Sequence, residues 1–144
     1  MNLVNNRKAY FEFQILEEFD SGIVLLGSEV KSIRLGNVTL TDSFIFLKNG
    51  EVWIKNLRVS RYKQAYYTDQ HDEMREKKLL LTKTQILKIS KMLSDKGITC
   101  VPLQIFIKNN KIKVKIAIAK GKKLWDKRES IKERDLKREK QRGL

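Results

Sequence analysis

Residues Lys111 to Ala119 alternate without a break, with Ile112, Val114, Ile116 and Ile118 on one side and Lys111, Lys113, Lys115 and Ala117 on the other. A two-residue period this regular belongs to a strand with one face in a core and the other carrying a ladder of lysines in water. It confines the chain to folds with an antiparallel sheet open on one side. Ile98 to Lys108 precedes it across Asn109-Asn110, which predicts a hairpin. A second hairpin is predicted from Phe44 to Lys48, Asn49-Gly50 and Glu51 to Leu57, because Asn-Gly tolerates the positive φ angles of a type I′ turn. Lys8 to Leu16 shows the same alternation, with Ala9, Phe11, Phe13 and Ile15 opposite Tyr10, Glu12 and Gln14, and is predicted to be a strand. Asp20-Ser21-Gly22 reads as a turn into a further short strand, Gly22 to Leu26.

Two segments read as helices. Ser28 is placed to cap Glu29 to Leu35, with Gly36 to end it, Val30 and Ile33 inward, and Lys31 and Arg34 outward. Thr82 and Gln85 form a capping-box pair ahead of Lys96 and Gly97, with Ile86, Ile89 and Leu93 on one stripe. Ser60 to Lys78 is polar, without a period, and sets Tyr62, Tyr66 and Tyr67 among basic residues. Short antiparallel strands with a helix to plug them predict a mainly β fold, an OB-like antiparallel barrel with two to three helices.

The chain has 144 residues and a formal charge of +14. Lys120 to Leu144 carries eleven Lys or Arg against five Asp or Glu and few large apolar residues. Such a segment cannot bury enough surface to offset the entropy of ordering it. The expected organisation is a barrel domain over 1–119 and a basic tail over 120–144 that stays disordered until bound. Both parts are basic, which favours phosphate backbones through counterion release. Trp125, flanked by Lys123, Lys127 and Arg128, is equally suited to stack on an unpaired base or to fold back on the barrel. No run approaches the roughly 20 apolar residues of a spanning helix, and the first residues have no apolar signal core, so the expected location is cytoplasmic.

Little in the chain suggests catalysis. Cys100 is the single cysteine and reads as a buried thiol; His71 is the single histidine. Together they make neither a thiolate metal cluster nor a Cys–His or Ser–His–Asp site. Ala119 to Lys123 has a Gly-Lys pair without the upstream glycine or following Ser or Thr of a phosphate loop. Glu17, Glu18 and Asp20 read as a charged turn. No catalytic residue, metal or cofactor is expected.

The chain nevertheless resembles a known family along nearly its whole length. Asn6-Arg7-Lys8-Ala9, Gly27-Ser28-Glu29-Val30-Lys31-Ser32, Asp42-Ser43-Phe44, Lys78-Leu79-Leu80-Leu81, Val101-Pro102-Leu103, Lys113-Val114-Lys115-Ile116 and Gly121-Lys122-Lys123 with Asp126-Lys127-Arg128 stand in the order and spacing of the small protein B (SmpB) family. The resemblance implies a non-enzymatic, RNA-binding adaptor of trans-translation, the rescue of stalled ribosomes. Its body grips the tRNA-like domain of transfer-messenger RNA, and its tail enters the decoding centre and empty mRNA channel. The partners implied are transfer-messenger RNA and the ribosome, with no membrane and a monomeric chain. By position, the RNA-facing body residues would include Asn6, Asp20 and Leu80, with the basic neighbours Arg7, Lys77 and Lys78. The ribosome-facing tail residues would be Lys120, Gly121, Lys122, Lys123, Trp125, Asp126, Lys127 and Arg128. One departure falls at His71-Asp72-Glu73, where the family usually has His-Asp-Pro. From the residues without the resemblance, the alternative is a ribosome-associated OB-like protein that binds structured RNA with no rescue role.

Overall fold

The computed structural model describes residues 2–61 and 71–122. Nine strands and three helices follow in the order β1 (Asn2–Asn5), α1 (Arg7–Glu12), β2 (Phe13–Ile23), α2 (Gly27–Arg34), β3 (Val38–Thr39), β4 (Phe44–Lys48), β5 (Glu51–Lys55), β6 (Arg58–Val59), β7 (Lys77–Leu80), α3 (Lys83–Leu93), β8 (Ile98–Lys108) and β9 (Lys111–Gly121). Seven strands form one sheet in the order β1-β8-β9-β2-β7-β5-β4, all antiparallel, and β3 and β6 form a small second sheet. The mainly β class with three helices is as expected. The barrel is open: β4 curls back against β8, yet no ladder joins them or joins β4 to β1 among the described residues.

Both predicted hairpins form, and their turns explain why. Asn49 and Gly50 have φ of 53° and 73°, and Asn109 and Asn110 have 52° and 62°, the paired positive values of a type I′ turn. The inward residues of the strands, among them Ile45, Val52, Ile54, Ile105, Val114 and Ile116, meet α2 through Ile33 and α3 through Ile89 in one core. α3 has the predicted capping box, with Gln85 N–H donating to Thr82 Oγ1 and Thr82 N–H donating to Gln85 Oε1.

Three local predictions are overturned. Arg7 to Glu12 is a helix and not a strand, because Asn6 Oδ1 accepts the Ala9 N–H at 3.3 Å as an N-cap. Ala9 is small enough to lie directly on Val101, Leu103, Ala117 and Ala119, a second apolar cluster on the outer side of the sheet. Asp20-Ser21-Gly22 is not a turn: β2 runs through it, and Ser21 Oγ donates to Val114 O at 2.9 Å, which satisfies a buried hydroxyl inside the sheet. Ser28 does not cap α2. The helix starts at Gly27, where Glu29 Oε1 accepts the Leu26 N–H at 2.7 Å, and Ser28 is buried against His71.

Asn6 also donates from Nδ2 to Pro102 O at 2.9 Å, and its own N–H donates to Leu103 O at 2.7 Å, so it pins α1 to β8. Replacing Asn6 by Ala removes both side-chain bonds and is expected to cost about 1–2 kcal/mol. A fall in the urea midpoint at unchanged slope is the readout.

Candidate nucleic-acid interface

In an antiparallel pair, residues directly opposite one another point to the same side of the sheet. The register therefore lays out the outer face. Asp20 lies opposite Lys115, and Gly22 lies between Lys113 of β9 and Leu80 of β7. On β8, Phe106 lies opposite Lys113 and Lys108 opposite Lys111. α1 covers the end of this face near Ala119 and leaves the end near Lys111 bare. Leu80 is 51% exposed. A Cβ at Gly22 would sit 3.2 Å from Leu80 Cβ, so the glycine is what lets the leucine lie over β2.

The charge on this bare end is one-sided. Lys108, Lys111 and Lys113 have no ion pair or hydrogen bond by side chain among the described residues. Lys115 sits 3.8 Å from Glu18 and 6.0 Å from the centroid of the Phe106 ring. Arg34 at the end of α2 donates from Nη2 to Asn110 O at 3.1 Å and to Asn110 Oδ1 at 3.3 Å, tying the β8–β9 turn to α2. Asp20 is exposed in this surround, as is Glu18 beside Lys115.

Of the body residues named from the resemblance, the structure brings Asp20 and Leu80 together here, on strands that neighbour one another. Lys78 points to the same side but pairs with Glu51 at 2.7 Å, a half-exposed pair of small net worth. Arg7 is exposed at the start of α1. Asn6 is 6% exposed and serves the fold. Lys77 is fully buried, one residue out of phase with the outer face, and donates from Nζ to Arg75 O at 2.7 Å and Leu57 O at 3.3 Å. It cannot face RNA in this fold. Sequence reasoning did not single out Arg34, Phe106, Lys111 or Lys113 as site residues, although the lysine ladder was the signal for two of them.

Lys77 belongs to a buried charge cluster under the site. Glu29, with no exposed surface, receives Arg75 Nη2 on Oε1 at 2.6 Å and Arg75 Nε on Oε2 at 3.3 Å, and Lys77 Nζ lies 3.5 Å from Oε2. Burial pushes the Glu29 carboxyl upward, but the hydrogen bonds from Arg75 and Leu26 and the two positive charges outweigh it, and its pKa lies below the ordinary value. Burial lowers the Lys77 ammonium, and Glu29 only partly restores it. Beside the cluster, His71 Nδ1 is 2.8 Å from Ser28 Oγ and Nε2 is 2.8 Å from Val59 O. A carbonyl can only accept, so Nε2 carries the proton and, in the neutral ring, Ser28 donates to Nδ1. The ring thereby ties α2 to β6. Tyr62, Tyr66 and Tyr67 lie outside the described residues. Cys100 is buried and its thiol is pushed up to about 12 by desolvation, the plain core thiol expected.

β9 runs past residue 119. Lys120 and Gly121 are strand residues opposite Gln14 and Phe13, and the Lys122 N–H donates to Glu12 O at 2.9 Å. The described part of the basic segment, Lys120 to Lys122, is thus fixed beside α1. Lys123, Trp125, Asp126, Lys127 and Arg128 lie outside the described residues.

A curled antiparallel sheet whose bare end presents Lys108, Lys111 and Lys113 without ion pairs among the described residues defines a small β protein whose surface chemistry suits an extended polyanion. Residues 3–144 match the SmpB protein family, and the chain belongs to it. It is 50% identical over 137 residues to the SsrA-binding protein of Persephonella marina, covering 95% of this chain and 90% of that one. It is 45% identical over 142 residues to the SsrA-binding protein of Thermosynechococcus vestitus, covering 99% and 93%. Among solved structures, it is similar to a chain from "tmRNA-SmpB: a journey to the center of the bacterial ribosome", with a TM-score of 0.69, 38% identity and coverage of 84% of this chain and 85% of that one.

Proposed function

We infer that this protein is an RNA-binding adaptor of trans-translation, which binds transfer-messenger RNA and brings it to the stalled ribosome. The observation that carries the reading is the likeness, over 84% of the chain, to a protein solved in the tmRNA-SmpB system. The relatives named SsrA-binding protein agree with it along almost their whole length. The face around Asp20, Leu80, Lys111 and Lys113 is the body surface for the tRNA-like domain. Lysines there neutralise phosphates, and Asp20 accepts hydrogen bonds from base edges or 2′-hydroxyls, which reports RNA shape and not sequence. Lys120 to Lys122 hand the chain from the body to the basic segment, for which Lys123 and Trp125 to Arg128 supply the ribosomal contacts. No helix among the described residues is long and apolar enough to cross a membrane.

The test is binding of the full chain to transfer-messenger RNA against an equal concentration of ordinary tRNA at physiological salt. The reading expects strong preference for the former. It also expects the log of the binding constant to fall linearly with the log of salt, by roughly 0.7–0.9 per phosphate neutralised. Equal binding of the two RNAs would leave a general basic RNA-binding protein and remove the rescue role.

A further inference from the structure

A cleft of about 170 Å³ opens at the α1 end of the sheet, between α1, the Asp42-Ser43-Phe44 segment and the start of β8. It is smaller than the roughly 300–1,000 Å³ that takes a small-molecule ligand, and is of a size for one large side chain. Ala9, Phe13, Phe44 and Val101 are its apolar walls, and Phe44 keeps 42% of its surface exposed there. The rim is acidic. Glu12 and Asp42 lie 4.0 Å and 3.6 Å from Lys8, two carboxylates sharing one ammonium in a chain of net charge +14. Lys122 sits at this rim: its N–H donates to Glu12 O at 2.9 Å, and its Nζ donates to Tyr10 O at 3.4 Å. Residues 123–144 therefore set out from the edge of the cleft.

We propose that in the unbound protein Trp125 docks in this cleft and latches the start of the basic segment to the body. Reach favours it. Three residues from Lys122 span at most about 10 Å, and Glu12 and Phe13, which line the cleft, adjoin the end of β9. The chemistry matches on both counts that an indole presents: its apolar body meets Phe13 and Phe44, and its N–H finds a carboxylate at the rim. Lys123, Lys127 and Arg128 beside it complement the negative charge that Lys8 leaves unbalanced. Each chain carries the cleft three residues from its own tryptophan, so effective concentration favours the internal contact over a second copy. A bound RNA offers many phosphates against two carboxylates and draws the basic residues away, which opens the latch. The segment is thereby held back until a polyanion is at hand. The contact is internal to the chain and stands or falls independently of the adaptor reading.

The experiment uses the full chain carrying Trp53→Phe, which leaves Trp125 as its single tryptophan. Quenching of its fluorescence by acrylamide, an uncharged probe, is compared with that of a peptide of residues 120–144. The expected quenching constant is about threefold lower in the chain than in the peptide. Phe44→Ala removes one apolar wall and is expected to raise it to the peptide's value. Because that change also touches β4, Glu12→Gln combined with Asp42→Asn is the second variant. Neither carboxylate is buried, and Asn tolerates the φ of 70° at position 42, so the urea midpoint is expected to stay unchanged. The quenching constant of this variant is expected to rise about twofold, as the indole N–H and the basic neighbours lose their partners. A wild-type cleft in which Trp125 is quenched as readily as in the peptide overturns the proposal, as does protection that survives both variants. Protection that grows with protein concentration overturns it too, by assigning the cleft to the tryptophan of a second copy.

Discussion

Deletion of residues 123–144 is expected to abolish ribosome rescue while leaving binding of transfer-messenger RNA within about threefold of the full chain at physiological salt. The separation is built into β9. Its Lys111 end carries the bare lysine face, and its Gly121 end leads to Lys122, bonded to Glu12 beside α1. The deleted segment holds Trp125 and much of the basic excess of the final 25 residues. Loss of that charge lowers general attraction to RNA, a screened and long-range effect, but touches none of the body contacts. The cut must fall after Lys122. Starting it at Lys120 would remove strand residues opposite Phe13, Gln14 and Ile98, and a binding defect would then report a damaged sheet. The measurements are peptide tagging on ribosomes stalled on messages without a stop codon, and direct RNA binding by the same variant. Equal loss of both activities would defeat the division between body and tail.

Replacing Glu29 by Ala is expected to have the largest effect on stability, about 3–5 kcal/mol, because it strands a fully buried Lys77 and a half-buried Arg75 without their anion. The second substitution in the test, Glu29→Ala with Lys77→Met, should recover part of the loss by replacing the orphaned ammonium with an apolar side chain. A single variant whose urea midpoint matches wild type would show that the cluster carries no such energy. The same group sets an acid response. The folded-state pKa of Glu29 is depressed, so the folded protein releases this proton more readily than the unfolded chain does. Its contribution is complete above the unfolded value near 4.5 and is lost as pH falls through the lower folded value. Lys77 works with the same slope in another range. Its folded pKa is lowered from 10.5, so the cost of charging it is present at neutral pH and is relieved as pH rises toward that value.

The parts of the fold legible in the sequence are those fixed by local stereochemistry. Asn49-Gly50 and Asn109-Asn110 need no tertiary context to favour positive φ, and Thr82 with Gln85 caps a helix wherever it occurs. α1 was hidden for the opposite reason. Six residues are too few to hold a helix by propensity, and Arg7 to Glu12 is helical because Asn6 caps it and Ala9 finds a surface supplied by β8 and β9. The Asn6 cap was the available signal, but the alternation from Ala9 to Ile15 pointed to a strand. Ser21 and Gly22 are turn residues by composition and strand residues here, because Val114 supplies an acceptor and Leu80 fills the space over the glycine. For the site, motif position named Asp20 and Leu80, which the register sets on one face, and carried buried Lys77 with them. The two-residue period sets Lys77 in phase with buried Leu79, and Lys78 in phase with exposed Leu80.

β9 also works as a spacer of fixed gauge. From Lys111 to Gly121 it makes ten steps of about 3.4 Å, roughly 34 Å of backbone clamped on both sides by β2 and β8. The distance between the β8–β9 turn and the start of the basic segment is therefore a covalent length, stiff against thermal bending. It is also quantised. Adding or removing one residue would turn Ile112, Val114 and Ile116 outward and the lysines into the core, so the gauge can change only by pairs of residues, in increments of about 7 Å, unless a bulge absorbs the extra one. Drift in the reach of this protein between its two ends is thus barred by the alternation of a single strand.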